Sequence, residues 1–214
     1  METETDAQHR RPAGSPAAGA VHSLSERHQT LATVESLTGG LLAASIVEIA
    51  GVSAVYRGGL VTYATDLKAQ LAGVPQGLLD ERGPVDPDVA KALAEGGRRR
   101  CGADWGLATT GVAGPEPQDG KPVGLVYVAV AGPDGATVRR LDLDGGRDHI
   151  RSAAVIEALR LLGEELRGEP FAPTSSDDGA STAPAPGSRA ASAVPRDGAS
   201  VPRGGAAATG AGRR

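Results

Sequence analysis

Cysteine is nearly absent: Cys101 stands alone in 214 residues. That excludes an internal disulfide and any metal cluster built on cysteine pairs. Aromatic residues make up only 2% of the chain, against 40% hydrophobic residues in all. A core must therefore come from Ala, Val, Leu and Ile. No sign of charge dominates. The net charge of −4 argues against a nucleic-acid footprint or a polybasic membrane patch. Long apolar runs are missing too. The longest, Leu41 to Ala50, is broken by Glu48 and falls far short of the roughly 20 residues a membrane span needs. The N-terminus (Met1-Glu2-Thr3-Glu4-Thr5-Asp6) has no apolar stretch behind its charges, unlike a secretory signal. These absences predict a cytoplasmic protein. Lysine is also scarce. Lys68, Lys91 and Lys121 are the only ones, so a lysine beside a candidate site carries weight.

What remains divides into three stretches. Residues 1–17 and 169–214 are rich in Ala, Gly, Ser, Pro, Thr, Asp and Arg. Such composition cannot bury enough apolar surface to offset a chain entropy of about 1–2 kcal/mol per residue, and both stretches are expected to be disordered. Between them, residues 18–168 alternate strand and helix signals. A short helix is expected over Val21–Arg27, a strand over Leu31–Val34, a turn from Glu35 to Gly40 and an apolar helix over Leu41–Ile49. A strand at Gly59–Ala64 and a short helix at Asp66–Leu71 follow. Asp86-Pro87 is a helix start, an Asp cap with proline at the first helical position, and the helix runs to Cys101. Strands follow at Trp105–Thr110, Gly124–Val130 and Thr137–Leu143, the last two joined through Gly132-Pro133-Asp134-Gly135 as a hairpin. Apolar spacing from Ile150 to Leu166 predicts a final helix, Arg147–Arg167. The pattern predicts a three-layer α/β/α sandwich on a mixed, mainly parallel sheet with one antiparallel hairpin.

Four places could carry chemistry. In Glu35-Ser36-Leu37-Thr38-Gly39-Gly40, a strand end is followed by a hydroxyl, then by two glycines that open a helix. Unpaired N–H groups at such a helix start can cradle a phosphate. They can equally stabilise an oxyanion if Ser36 is a nucleophile, or Ser36 and Thr38 can simply cap the helix. Nucleophile-elbow and Ser-x-x-Lys signatures do not fit, because Val34 and Thr38 stand where an elbow needs glycines and Gly39 where lysine is required. Neither His28 nor His149 is favoured as a partner of Ser36. Lys68, past a strand end in Tyr63-Ala64-Thr65-Asp66-Leu67-Lys68, could be a desolvated base for Ser36 or a solvated surface lysine. The loop Thr110-Gly111-Val112-Ala113-Gly114-Pro115 could bring backbone close to a ligand. Arg147, with Arg151 one turn on, could grip phosphate or carboxylate or lie solvated on the surface.

Taken in order, these elements resemble the C-terminal domain of the CinA family, which includes the nicotinamide-nucleotide amidohydrolases. The matching blocks are Glu35-Ser36-x-Thr38-Gly39-Gly40, Gly59-x-Val61-x-Tyr63 with Lys68, Gly73-Val74, and Gly83-Pro84-Val85. They continue with Thr110 to Pro115, Lys121-Pro122-Val123-Gly124, and Gly146-Arg147 with Arg151. The resemblance covers Ala18 to Arg167. It implies deamidation of nicotinamide mononucleotide to nicotinic acid mononucleotide and ammonia, with no metal, no cofactor and a serine–lysine mechanism. By position, Ser36 would be the nucleophile and Lys68 its base, with Tyr63 and Thr110 assisting proton transfer and positioning. Thr38, Gly39, Gly40, Gly111, Gly114 and Arg147 would bind substrate. Independently of the resemblance, backbone N–H groups near Thr38 and Gly39, at the helix start, are candidates for the oxyanion hole. The partner would be a small nucleotide, with neither nucleic acid nor membrane, and a homodimer is expected. Two readings stand beside this one: a non-catalytic nucleotide- or phosphate-binding module, and a partner protein in competence or DNA damage. The chain departs from the family at Leu37, where many relatives have cysteine. It departs again at Glu116-Pro117-Gln118-Asp119-Gly120, where many have a glycine-rich run. The separate N-terminal domain of larger members, and any activity it carries, is expected to be absent.

Overall fold

A computed structural model of the chain describes residues 14–168. The expected tails lie almost wholly outside the described residues. The first helix, α1 (Pro16–Glu26), begins earlier than expected. Ser15 caps it by accepting the Ala18 N–H at 3.2 Å, and Pro16 takes the first turn. Ser15-Pro16, read as tail composition, is a helix start, so the expected boundary at Ala18 falls inside α1.

Five strands form one sheet in the order β2 (Tyr56–Val61), β1 (Leu31–Glu35), β3 (Trp105–Gly111), β4 (Leu125–Gly132) and β5 (Gly135–Asp142). β1 pairs in parallel with β2 and β3, while β4 is antiparallel to both β3 and β5. Four strands thus share one direction, and β4 with β5 makes the expected hairpin around Pro133-Asp134. β2 lies upstream of its expected position. Gly58 and Gly59 hide it, because glycine gives no alternation to read.

Period-two alternation sorts the sheet into two cores. Leu31, Leu107, Val126, Val128 and Val130 face α1, α2 (Leu41–Val47) and α6 (Arg147–Arg167). Val34, Ala108, Ala129 and Ala131 face α5 (Pro87–Cys101). The second face is lined by small residues because α5 packs close. A methyl added at Gly96 would run into the Ala72 carbonyl, and one at Gly106 into the Ala94 carbonyl. The architecture is the three-layer α/β/α arrangement predicted, with α3 (Thr65–Gln70) and α4 (Gln76–Arg82) inserted between β2 and α5. The sequence gives little sign of α4: Pro75 precedes it, no side chain caps it, and Gly77 sits in its first turn. No helix among the described residues is long and apolar enough to cross a membrane.

Candidate active site

β1 and β3 run side by side in parallel, with Glu35, the last residue of β1, opposite Thr109, and β3 continues to Gly111. The chain leaves β1 at Ser36, whose N–H donates to the Thr109 carbonyl at 3.0 Å. Ser36 therefore stands at the carboxyl end of the parallel strands of this mixed sheet, where α/β folds open their crevices.

The chain after β2 returns to this edge. Thr62 donates its N–H to the Glu35 carbonyl, and α3 then carries Lys68 beneath the serine. Lys68 is only 1% exposed. Its Nζ lies 2.9 Å from Ser36 Oγ and donates to the Thr62 carbonyl at 2.7 Å. Burial lowers its pKa to about 8, because an ammonium removed from water loses solvation that neutral partners replace only in part. A lysine in this state is a usable base.

The glycine-proline strip before α5 and the loop after β3 build the remaining walls. Thr110 is fully buried, and its hydroxyl donates to the Pro84 carbonyl at 2.6 Å. Arg147, first residue of α6, donates Nη1 to the Gly114 carbonyl at 2.7 Å and Nη2 to the Tyr63 hydroxyl at 2.8 Å. It ties the segment after β2 to the loop after β3. Together these residues line a cavity of about 520 Å³ that is open to solvent, with Val85, Glu116 and Gln118 completing its wall.

Ser36, Lys68, Tyr63, Thr110, Gly111, Gly114 and Arg147, all anticipated from sequence, line this one cavity. The two glycines owe their lack of a side chain to packing. A methyl at Gly111 would stand 2.7 Å from the Leu125 carbonyl oxygen, and one at Gly114 2.8 Å from Val123 Cγ1.

Thr38, Gly39 and Gly40 are placed otherwise and do not line the cavity. Thr38 is buried, its hydroxyl 2.8 Å from that of Thr109. The expected phosphate cradle at the start of α2 is already filled. The Glu35 carboxylate accepts the N–H groups of Gly40 and Leu42 at 3.0 Å and of Ala43 at 2.8 Å. Gly39 donates its N–H to the Ser36 carbonyl at 3.1 Å, which removes it from the expected oxyanion hole. The N–H of Leu37, next to the serine on the cavity wall, has no acceptor among the described residues. Arg151 is committed as well, clamping the carbonyls of Leu37 at 3.0 Å and Thr38 at 2.8 Å. Neither His28 nor His149 lines the cavity.

Sequence reasoning missed the Thr62 carbonyl as a Lys68 acceptor, Glu35 as the cap of α2, and Pro84 as the partner of Thr110. The first and last act through backbone oxygens, which leave no mark in the side-chain sequence. Glu35 carried a signal: an acidic residue shortly before a helix that has no capping side chain at its own start.

Residues 15–166 match the profile of the CinA C-terminal domain. A CinA-like protein of Frankia casuarinae is 50% identical over 158 residues, covering 73% of this chain and 36% of the relative. One from Geobacter sulfurreducens is 48% identical over 142 residues, 66% of this chain and 34% of its own length. The chain thus spans about a third of the curated relatives it matches. The crystal structure of the competence/damage inducible protein CihA from Agrobacterium tumefaciens superposes with a TM-score of 0.68 at 37% identity, covering 71% of this chain and 93% of that one. A CinA superfamily protein from Klebsiella pneumoniae gives 0.69 at 30% identity, covering 72% and 96%. The ordered motifs, the sheet topology and these matches agree: the chain belongs to the CinA family, through its C-terminal domain.

Proposed function

We propose that the domain is an amidohydrolase that converts nicotinamide mononucleotide to nicotinic acid mononucleotide and ammonia. The observation that carries this reading is the buried Lys68 amine 2.9 Å from Ser36 Oγ with its pKa lowered to about 8. A free serine hydroxyl is a weak nucleophile, and a neutral amine at hydrogen-bond distance is what activates it. At pH 7 about one molecule in ten holds Lys68 neutral.

Lys68 Nζ takes the Ser36 proton as Oγ attacks the carboxamide carbon. The tetrahedral intermediate collapses when Lys68 returns that proton to the amide nitrogen. The C–N bond breaks and ammonia leaves, with an ester on Ser36. Water then attacks the ester, giving a proton to Lys68. The C–O bond to Ser36 breaks, the hydroxyl is restored, and the acid departs. The Leu37 N–H is the donor we assign to the oxyanion, in place of the groups near Thr38 and Gly39 expected from sequence. Thr110, donating to Pro84, keeps lone pairs that can accept from the amide NH₂. Tyr63 accepts from Arg147 and so keeps its own proton to donate.

Ammonia release from nicotinamide mononucleotide, without added metal, tests the reading. Ser36→Ala and Lys68→Ala should each lower kcat by at least about 10³-fold. The wild-type kcat/KM should climb with pH and level off above about 8, as the base loses its proton. Turnover that survives Ser36→Ala would discard the mechanism, and a folded wild type that releases no ammonia would discard the activity.

A further inference from the structure

The cavity has a buried floor and an exposed rim. Ser36, Lys68 and Thr110 form the floor, whereas Tyr63, Glu116, Gln118 and Arg147 are exposed. A carboxamide seated on Ser36 must direct the rest of its molecule out past that rim. Any charge at the far end of the substrate is therefore read by Arg147 and Glu116, the two charged residues of the rim.

Glu116 is held there by an ordered loop. Gln118 and Lys121 exchange backbone hydrogen bonds, N–H to carbonyl at 3.1 and 2.8 Å, across Asp119-Gly120. Both turn residues have positive φ, 50° and 73°, as in the tight hairpin turn that Asp-Gly favours. A two-residue turn fixes the stem, and Glu116 lies two residues before it, against the cavity. No ion pair engages the Glu116 carboxylate among the described residues, with either Arg147 or Lys121. Two of the Arg147 donors are already taken by Gly114 and Tyr63. The rim thus offers one cation with two of its donors committed and one carboxylate without an ion pair among the described residues. A phosphomonoester carries nearly two negative charges at neutral pH, and the Glu116 carboxylate on the rim repels it.

We infer that Glu116 is a specificity-determining residue that selects against a dianionic phosphate at the far end of the substrate, so that this enzyme accepts the unphosphorylated pyridinium nucleoside carboxamide alongside the nucleotide. The inference rests on the amidohydrolase reading for the position of the scissile amide. Its physics is plain Coulomb repulsion across a solvated rim, which salt weakens.

The experiment measures kcat/KM for nicotinamide mononucleotide and for nicotinamide riboside by ammonia release, in wild type, Glu116→Gln and Glu116→Lys. The nucleotide-to-nucleoside ratio should rise about fivefold in Glu116→Gln and further in Glu116→Lys, through KM for the nucleotide, at low salt. Half-molar salt should compress the difference. A ratio that stays the same in both variants, or a gain shared equally by the two substrates, overturns the inference while leaving the activity standing. If wild type turns over neither compound, the activity fails. Titration calorimetry of both compounds then reads the Glu116 effect as a ratio of Kd values. An unchanged ratio, or no binding of either compound, overturns the inference as well.

Discussion

Replacing Lys68 by methionine should destroy activity and yet stabilise the fold. The side chains are similar in length, and the site is 1% exposed, so an apolar chain of that size suits it. Lys68 carries a proton up to pH 10.5 in the unfolded chain but only to about 8 in the folded one. That gap corresponds to about 3 kcal/mol of destabilisation at any pH below 8, at about 1.4 kcal/mol per pKa unit. Between pH 8 and 10.5 the unfolded state holds more protons, so raising the pH favours folding and removes this cost. Methionine abolishes it at every pH. The substitution also leaves the Thr62 carbonyl without its 2.7 Å donor, a loss of about 1–2 kcal/mol for a buried acceptor. The net gain at pH 7 should be about 1–2 kcal/mol. Urea unfolding of wild type and Lys68→Met from pH 6 to 10 measures it. The advantage of the variant should be constant below about pH 7.5, shrink above 8 and vanish or reverse near 10. A difference independent of pH would refute the argument that a buried ammonium is what the wild type carries.

Glu35→Gln tests the cap of α2. The carboxylate accepts three N–H groups, and the amide replaces one acceptor oxygen with a donor while losing the charge. Stability should fall by about 2 kcal/mol, read from urea midpoints, and ammonia release should fall with it because α2 anchors the turn that carries Ser36. Gly96→Ala sets helix propensity against packing: alanine gains about 1 kcal/mol in a helix, but its methyl meets the backbone carbonyl of Ala72. Overpacking costs about 1–3 kcal/mol and a backbone atom cannot rotate away, so thermal unfolding should show a lower Tm.

The fold was legible wherever side chains alternate or caps speak. β3, β4 and α5 lie within a residue or two of their expected bounds, because apolar periodicity and Asp86-Pro87 set them. β2 and α4 were obscured by glycines that serve packing and loop shape, as Gly59 does in lying where a methyl would strike Thr33 Oγ1 and the Tyr56 hydroxyl. For the site, ordered motifs indicated which side chains meet. The backbone commitments stayed hidden: Thr38, Gly39 and Gly40 read as ligand-binding because glycine and hydroxyl at a helix start look the same whether the N–H groups face a ligand or a neighbouring carboxylate.

That carboxylate also bears on the base. A lysine next to a negative charge would keep its proton, since an opposite charge within a few ångströms favours the ammonium. Glu35 directly precedes the serine and is itself buried, so it could have acted as that counter-ion. Its side chain is instead held among three N–H groups of α2. Among the described residues no ion pair reaches Lys68, and burial moves its pKa. One residue type thus does two jobs: Glu35 neutralises a helix start that could otherwise capture an anion, and it is kept off the lysine by the hydrogen bonds that do so. Freed from the cap, that carboxylate could turn toward Lys68 and raise its pKa. In Glu35→Asp the shorter carboxylate cannot span all three N–H groups, and the climbing limb of the pH–rate profile should either stay near 8 or move upward. A limb that moves downward would contradict the view that Lys68 titrates in a site without negative charge.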